Sequence, residues 1–179
     1  MLAGCAAVLG ACAGQAPEVP LGTDGKPLPR VYQMAEVDPN VVKFRMLDAV
    51  NALRQASGAP AVEFEARLDA AAATHARDMS VQNRPWHFGS DGSSPLVRVQ
   101  RIGYDGKLLG ELISETFQTE LETLSAWMAQ PETRLVLLDA RASQIGFAWF
   151  QEPGGKIWWC LLLGASGGII PMSPLGLAG

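Results

Sequence analysis

Two histidines, His75 and His87, are all the imidazole this chain carries, so any histidine-based chemistry must run through one of them. His87 stands in a polar stretch between Trp86 and Phe88. A loop imidazole there either lines a cavity or fixes a turn. Glu111 is the carboxylate that could orient and charge it for acid–base work. A catalytic zinc needs three protein ligands and a structural one four. His87 and Glu111 supply two, with Asp91 or Glu115 to be recruited and no ligand pair at helical metal spacing. No cofactor is therefore expected, with a divalent metal at His87 and Glu111 as the alternative. Ser90, Ser93 and Ser94 lack a nucleophile-elbow context and read as turn and cap residues. His75 lies on an apolar helix face, where a hydrogen-bonded core histidine is expected. Cys160, inside an apolar strand, is expected to be a buried, inert thiol.

These groups must be held by a folded core. The chain has 179 residues, 48% hydrophobic and 18% charged, which suits one domain with flanking segments. A net charge of −4 and a pI of about 5.2 carry no electrostatic footprint for nucleic acid. Of the three cysteines, Cys5 and Cys12 lie in the first dozen residues, so a disulfide framework is not expected.

The first twelve residues are apolar, small and uncharged, and too short to span a bilayer. They resemble the end of an export signal. Leu2-Ala3-Gly4-Cys5 and Leu9-Gly10-Ala11-Cys12 both look like lipoprotein cleavage boxes, with Cys12 the favoured lipidation site and Cys5 the alternative. No basic residue precedes Lys26, so the positive region of a working signal would lie upstream of Met1. Residues 13–38 are rich in Pro and Gly and read as a linker.

The domain is placed at residues 39–165, with 166–179 as a flexible tail. Asp38-Pro39 opens a helix whose face is Val42, Met46, Val50 and Leu53, stopped by Gly58 and Pro60. A second helix, Glu65 to Val81, carries Leu68, Ala72, His75 and Met79 on one face. Its run Ala70 to Ala73 leaves it thin enough for close approach. Asn83 to Ser94 is a loop, Pro95 to Gly103 a short helix, and Gly110 to Thr116 a short strand. Thr119 and Glu122 form a capping box before a third long helix that Pro131 breaks. A helical turn follows with Leu135 and Leu138. Residues 145–150 alternate as a strand, and Ile157 to Leu163, apolar on both faces, is a central strand. Helices followed by a meander predict an α+β fold with a small, mainly antiparallel sheet.

The order of several short pieces resembles the CAP superfamily of cysteine-rich secretory, antigen 5 and pathogenesis-related proteins, in its bacterial SCP-like branch. The pieces are the helix Leu47 to Leu53, Thr74-His75-Ala76-Arg77-Asp78-Met79, His87, Asp91-Gly92, Ser94-Pro95, Arg98, Gly103-Tyr104, Gly110-Glu111, Ala126-Trp127-Met128, Leu137-Leu138-Asp139 and Gln144-Ile145-Gly146. The resemblance implies a three-layer α–β–α sandwich with a surface cavity lined by His87 and Glu111. It also implies departures. Leu112 stands where such proteins have an Asn, Thr133 where they have a second His, Cys160 near a usual Gln, and Ser125 near a Glu of some members. Asp91 completes the expected cavity residues.

The expected function is a non-catalytic binding or scaffold module of the bacterial cell envelope, lipid-anchored or secreted. Its ligand would be a lipid, a small apolar molecule or an envelope protein, and not a nucleic acid. The alternative is a metal-assisted or acid–base hydrolase using His87 and Glu111.

Overall fold

The structure is a computed structural model that describes residues 31–116 and 118–167. Cys5, Cys12, most of the linker and most of the tail lie outside the described residues. Five helices and four strands follow in the order α1 (Pro39–Ala56), β1 (Glu63–Phe64), α2 (Ala66–Gln82), α3 (Pro95–Arg101), β2 (Lys107–Thr116), α4 (Glu120–Ala129), α5 (Pro131–Leu137), β3 (Gln144–Gln151) and β4 (Ile157–Ala165). The sheet order is β1-β3-β4-β2, with β4 antiparallel to both neighbours and β1 parallel to β3. The fold is the α–β–α sandwich expected.

Local chemistry sets most element ends. Asp38 caps α1 by accepting from Asn40 N, with Pro39 at the first turn. Ser94 and Pro95 open α3 in the same way. Thr119 and Glu122 form the reciprocal capping box on α4. Pro131 both ends α4 and starts α5, because a proline that cannot continue a helix is well suited to the first turn of another. β2 begins at Lys107, three residues before the alternation in the sequence signals it, because a bulge between Leu108 and Gly110 interrupts the period. The two-residue β1 carries no periodicity at all. Part of the stretch read as a linker packs on the domain: Met34 is buried, and Gln151 bonds both Met34 N and Tyr32 O.

β4 is buried from Ile157 through Gly164. Its odd residues Ile157, Trp159, Leu161 and Leu163 face the layer of α1, α4 and α5. Trp158, Cys160 and Leu162 face α2 and α3. The second layer is thin, as the alanines of α2 predict. A Cβ on Gly146 of β3 would fall 2.2 Å from the Leu68 carbonyl carbon, so only glycine admits the helix at this distance. On the first layer, Arg54 of α1 is wholly buried and donates to the carbonyls of Pro60, Leu137, Asp139 and Ala142 at 2.7–3.2 Å. It ties the ends of three segments together by supplying donors to carbonyls that helix and strand pairing leave open.

Candidate functional site: a buried carboxylate under a histidine loop

Asn83 ends α2 in the left-handed conformation (φ 48°), which turns the chain back along the helix it has left. One stripe of α2 then grips the returning loop. His75 Nε2 lies 3.0 Å from Trp86 O, Gln82 bonds both the Trp86 indole and Phe88 O, and Asp78 Oδ2 accepts from Ser90 N at 2.7 Å. Positions 75, 78 and 82 are three and four residues apart, the spacing that puts side chains on one helical face. The loop is thereby built to hold one residue, His87, over the sheet edge.

Beneath it lies Glu111. The β2 bulge sends Leu109 towards the first layer and Glu111 towards the second. Glu111 Oε1 is 2.9 Å from His87 Nδ1 and 3.6 Å from His75 Nε2. Glu111 Oε2 accepts from Arg98 at 2.5 Å and from the Cys160 thiol at 3.8 Å. Arg98, on α3, also donates to the carbonyls of His87 and Ser93, at 2.8 and 3.0 Å. Five segments of chain thus meet on one carboxylate whose side chain is 2% exposed.

Burial alone would raise the Glu111 pKa. The hydrogen bond from His87 and the charges of His75 and Arg98 outweigh it, so the carboxyl is held below its usual range. An ionised carboxylate only accepts, so His87 donates to it from Nδ1–H and keeps Nε2 out of that bond. His75 is lowered from 6.5, mainly by burial, against the opposing pull of Glu111. With Nε2–H directed at the Trp86 carbonyl, its Nδ1 is a buried acceptor with no partner. The Cys160 thiol is pushed well up by burial and by Glu111, which leaves it protonated and unreactive.

His87 is exposed and forms the rim of a shallow groove of ≈ 310 Å³. Its walls are Pro95, Leu96, Leu108 and Leu109, with Glu111 at the base. His87 and Glu111 therefore meet as the resemblance implies. The other two expected cavity residues do not join them. The Thr133 hydroxyl is turned back on the α4 end, where it donates to Trp127 O and Gln130 O. Asp91 is occupied by Arg101 and Ser93 N and lines a separate cavity. Leu112, at the Asn place, is 1% exposed in the first layer, where an amide would go unpaired. His75 is buried and hydrogen-bonded as expected, but it also faces Glu111. Its role, and that of Arg98, could not be read from one sequence, since neither helix shows which strand residue it will meet.

The donor set does not fit a divalent ion. Arg98 occupies one oxygen of Glu111 and His87 the other. His75 commits its Nε2–H to the Trp86 carbonyl, so its nitrogen nearest the carboxylate has no lone pair to offer. Only His87 Nε2 remains as a ligand, and no group of three or more His, Cys, Asp or Glu is placed for a metal among the described residues.

Comparison with known proteins agrees with this fold. No curated protein sequence matches the chain. The solved structures that share its fold include the following three. An outer surface protein of Borrelia burgdorferi superposes with a TM-score of 0.67 at 16% identity, covering 73% of this chain and 97% of that one. An extracellular protein of Bacillus anthracis that contains an SCP domain gives 0.61 at 19%, covering 71% and 44%. A cysteine-rich secretory protein of Staphylococcus aureus gives 0.62 at 13%, covering 79% and 44%. The chain spans less than half the length of the last two. The model of the cysteine-rich secretory protein family matches residues 47–162, the stretch from the middle of α1 to β4 that holds the Glu111 cluster, and the chain belongs to that CAP family.

Proposed function

We propose that this chain is an exported protein of the bacterial cell envelope, lipid-anchored through Cys12 or Cys5, whose CAP domain is a non-catalytic binding module for a lipid or small apolar ligand. The observation that carries the reading is the state of Glu111. Its side chain is 2% exposed, with Arg98 and Cys160 on Oε2 and His87 on Oε1, so it pins a loop instead of facing a substrate proton. The groove beside it is mostly aliphatic, with His87 and Ser94 as polar lining beside Glu111, the composition of a site for an apolar molecule with a small polar head. The export reading draws on the extracellular and outer-surface character in the names of the similar structures. No helix among the described residues is long and apolar enough to cross a membrane, so a membrane attachment would come from the lipid.

Native mass spectrometry of the protein extracted from its own envelope tests the anchor. A mature mass starting at Cys12 or Cys5 plus acyl chains is expected, and an unmodified chain refutes the anchor. For the groove, fluorescence titration with the probe cis-parinaric acid should show saturable uptake, which Leu96→Glu abolishes. Absence of uptake by the folded protein, or equal uptake by the variant, removes the lipid reading.

A second reading, an acid–base hydrolase, is favoured by the His87–Glu111 pair, which leaves Nε2 of an oriented imidazole open at the groove. A folded His87→Ala variant that still complements a deletion excludes it. A folded variant that fails while retaining parinarate binding supports it.

A further inference from the structure

A second and larger cavity, ≈ 470 Å³, lies between α2 and α3 under the loop tip. Its volume is within the range of small-molecule sites, roughly 300–1,000 Å³. Ala71 and Ile102 make its apolar floor, and Asp78, Asp91, Arg98 and Arg101 stand around it. Both signs of charge therefore face one space across a short apolar gap.

The hydrogen-bond inventory shows which of these groups are spent. Asp78 uses Oδ2 for both Gln82 and Ser90 N, and Oδ1 takes no hydrogen bond among the described residues. Asp91 bonds Ser93 N through one oxygen and Arg101 through the other. Among the described residues, Arg101 is committed only through Nη1, in an ion pair whose side chains are 59% and 52% exposed. An exposed pair of this kind adds little to stability and exchanges partners readily. Arg98 is 8% exposed and holds the loop and Glu111, so it belongs to the wall.

Each simple ligand class fails on one of these groups. A metal ion would have the two guanidiniums beside it, and an inorganic anion would face Asp78 and Asp91. A wholly apolar molecule would strip water from the Asp78 carboxylate without replacing it. We infer that this cavity binds a small zwitterion, a free amino acid or dipeptide. Its ammonium is received by Asp78 Oδ1, its carboxylate by Arg101, and its side chain by Ala71 and Ile102. The site is separate from the His87 groove and does not depend on what that groove binds.

The experiment is a two-dimensional amide NMR titration of the full chain with the dipeptide alanyl-leucine, its N-acetyl form and its C-terminal amide. The free dipeptide should shift the amides of Ala71, Thr74 and Ile102 in a saturable way, and each blocked form should bind at least ten-fold more weakly. Arg101→Gln, at an exposed position, should bind the free dipeptide and its amide alike. Failure of alanyl-leucine to shift these amides at millimolar concentration overturns the inference. So does equal binding of the blocked forms, or an Arg101→Gln variant that keeps the preference for a free carboxylate.

Discussion

Trp159 and Cys160 are neighbours on β4, yet they look into two different kinds of interior. Trp159 enters a layer filled by large side chains: Phe147 stacks on it at 5.6 Å, Trp149 lies 6.0 Å away, and Val42, Met46 and Leu124 close the space. Cys160 enters a layer where Ala71, Ala72, Ala76 and Gly146 let α2 lie close to the sheet among Leu68, Met79 and Trp158. There an interior carboxylate, a guanidinium and the His75 imidazole replace part of the apolar filling, with the exposed His87 above them. One sheet thus carries a face that supplies stability by burial and a face that holds polar groups in fixed relation. The small residues matter to the second task, because α2 must lie close enough for His75 to reach the level of Glu111.

If that division is right, the costliest single change falls on the first face. Trp159→Ala should cost about 3–5 kcal/mol, since a large aromatic leaves a cavity its neighbours cannot fill. Denaturant unfolding measures it, and a loss near 1 kcal/mol would mean the first face is not the main store of stability. Next comes the polar face. Glu111→Gln leaves Arg98 as a nearly buried cation without a countercharge and should cost about 3 kcal/mol. The same variant should speed proteolysis within 83–94, because Glu111 holds both His87 and the arginine that clamps the loop; unchanged cleavage would reduce Glu111 to a local ion pair.

A smaller effect is expected where spacing rather than charge is disturbed. Gly146→Val pushes α2 away from β3 and should cost about 1–3 kcal/mol, with the His75 ring signals shifting in the NMR spectrum. Stability loss without movement at His75 would uncouple the thin layer from the site. The smallest effect is acid sensitivity. His75 is lowered below 6.5 in the folded protein, so between 6.5 and that lower value the unfolded chain binds the extra proton and stability falls as pH falls. Glu111, also lowered, adds a further loss at more acid pH, as it is protonated through its folded value. The slope from His75 cannot exceed about 1.4 kcal/mol per pH unit. His75→Gln should flatten the fall from pH 7 to 5, and an unchanged profile would assign it to other groups.

Much of this was legible from residue order alone. Asp38-Pro39, Ser94-Pro95 and Thr119…Glu122 announce helix starts because a cap is a bond between residues two or three apart. The doubly apolar run at 157–163 announces a central strand because no other element buries both faces of alternating side chains. His87 and Glu111 stand out by residue type and by resemblance, and they do meet. Three-dimensional packing decided the rest. The pairing of β1 with β3 and the bulge that aims Glu111 depend on hydrogen bonds to strands far along the chain. The partnership of His75, Arg98, Cys160 and Glu111 is made by four elements whose relative depth no local spacing encodes. Thr133 and Asp91 were drawn elsewhere by near neighbours: the α4 carbonyls for one, Arg101 and Ser93 for the other. A sequence determines the bonds a residue can make; which one it makes depends on what the folded layers bring within three ångströms of it.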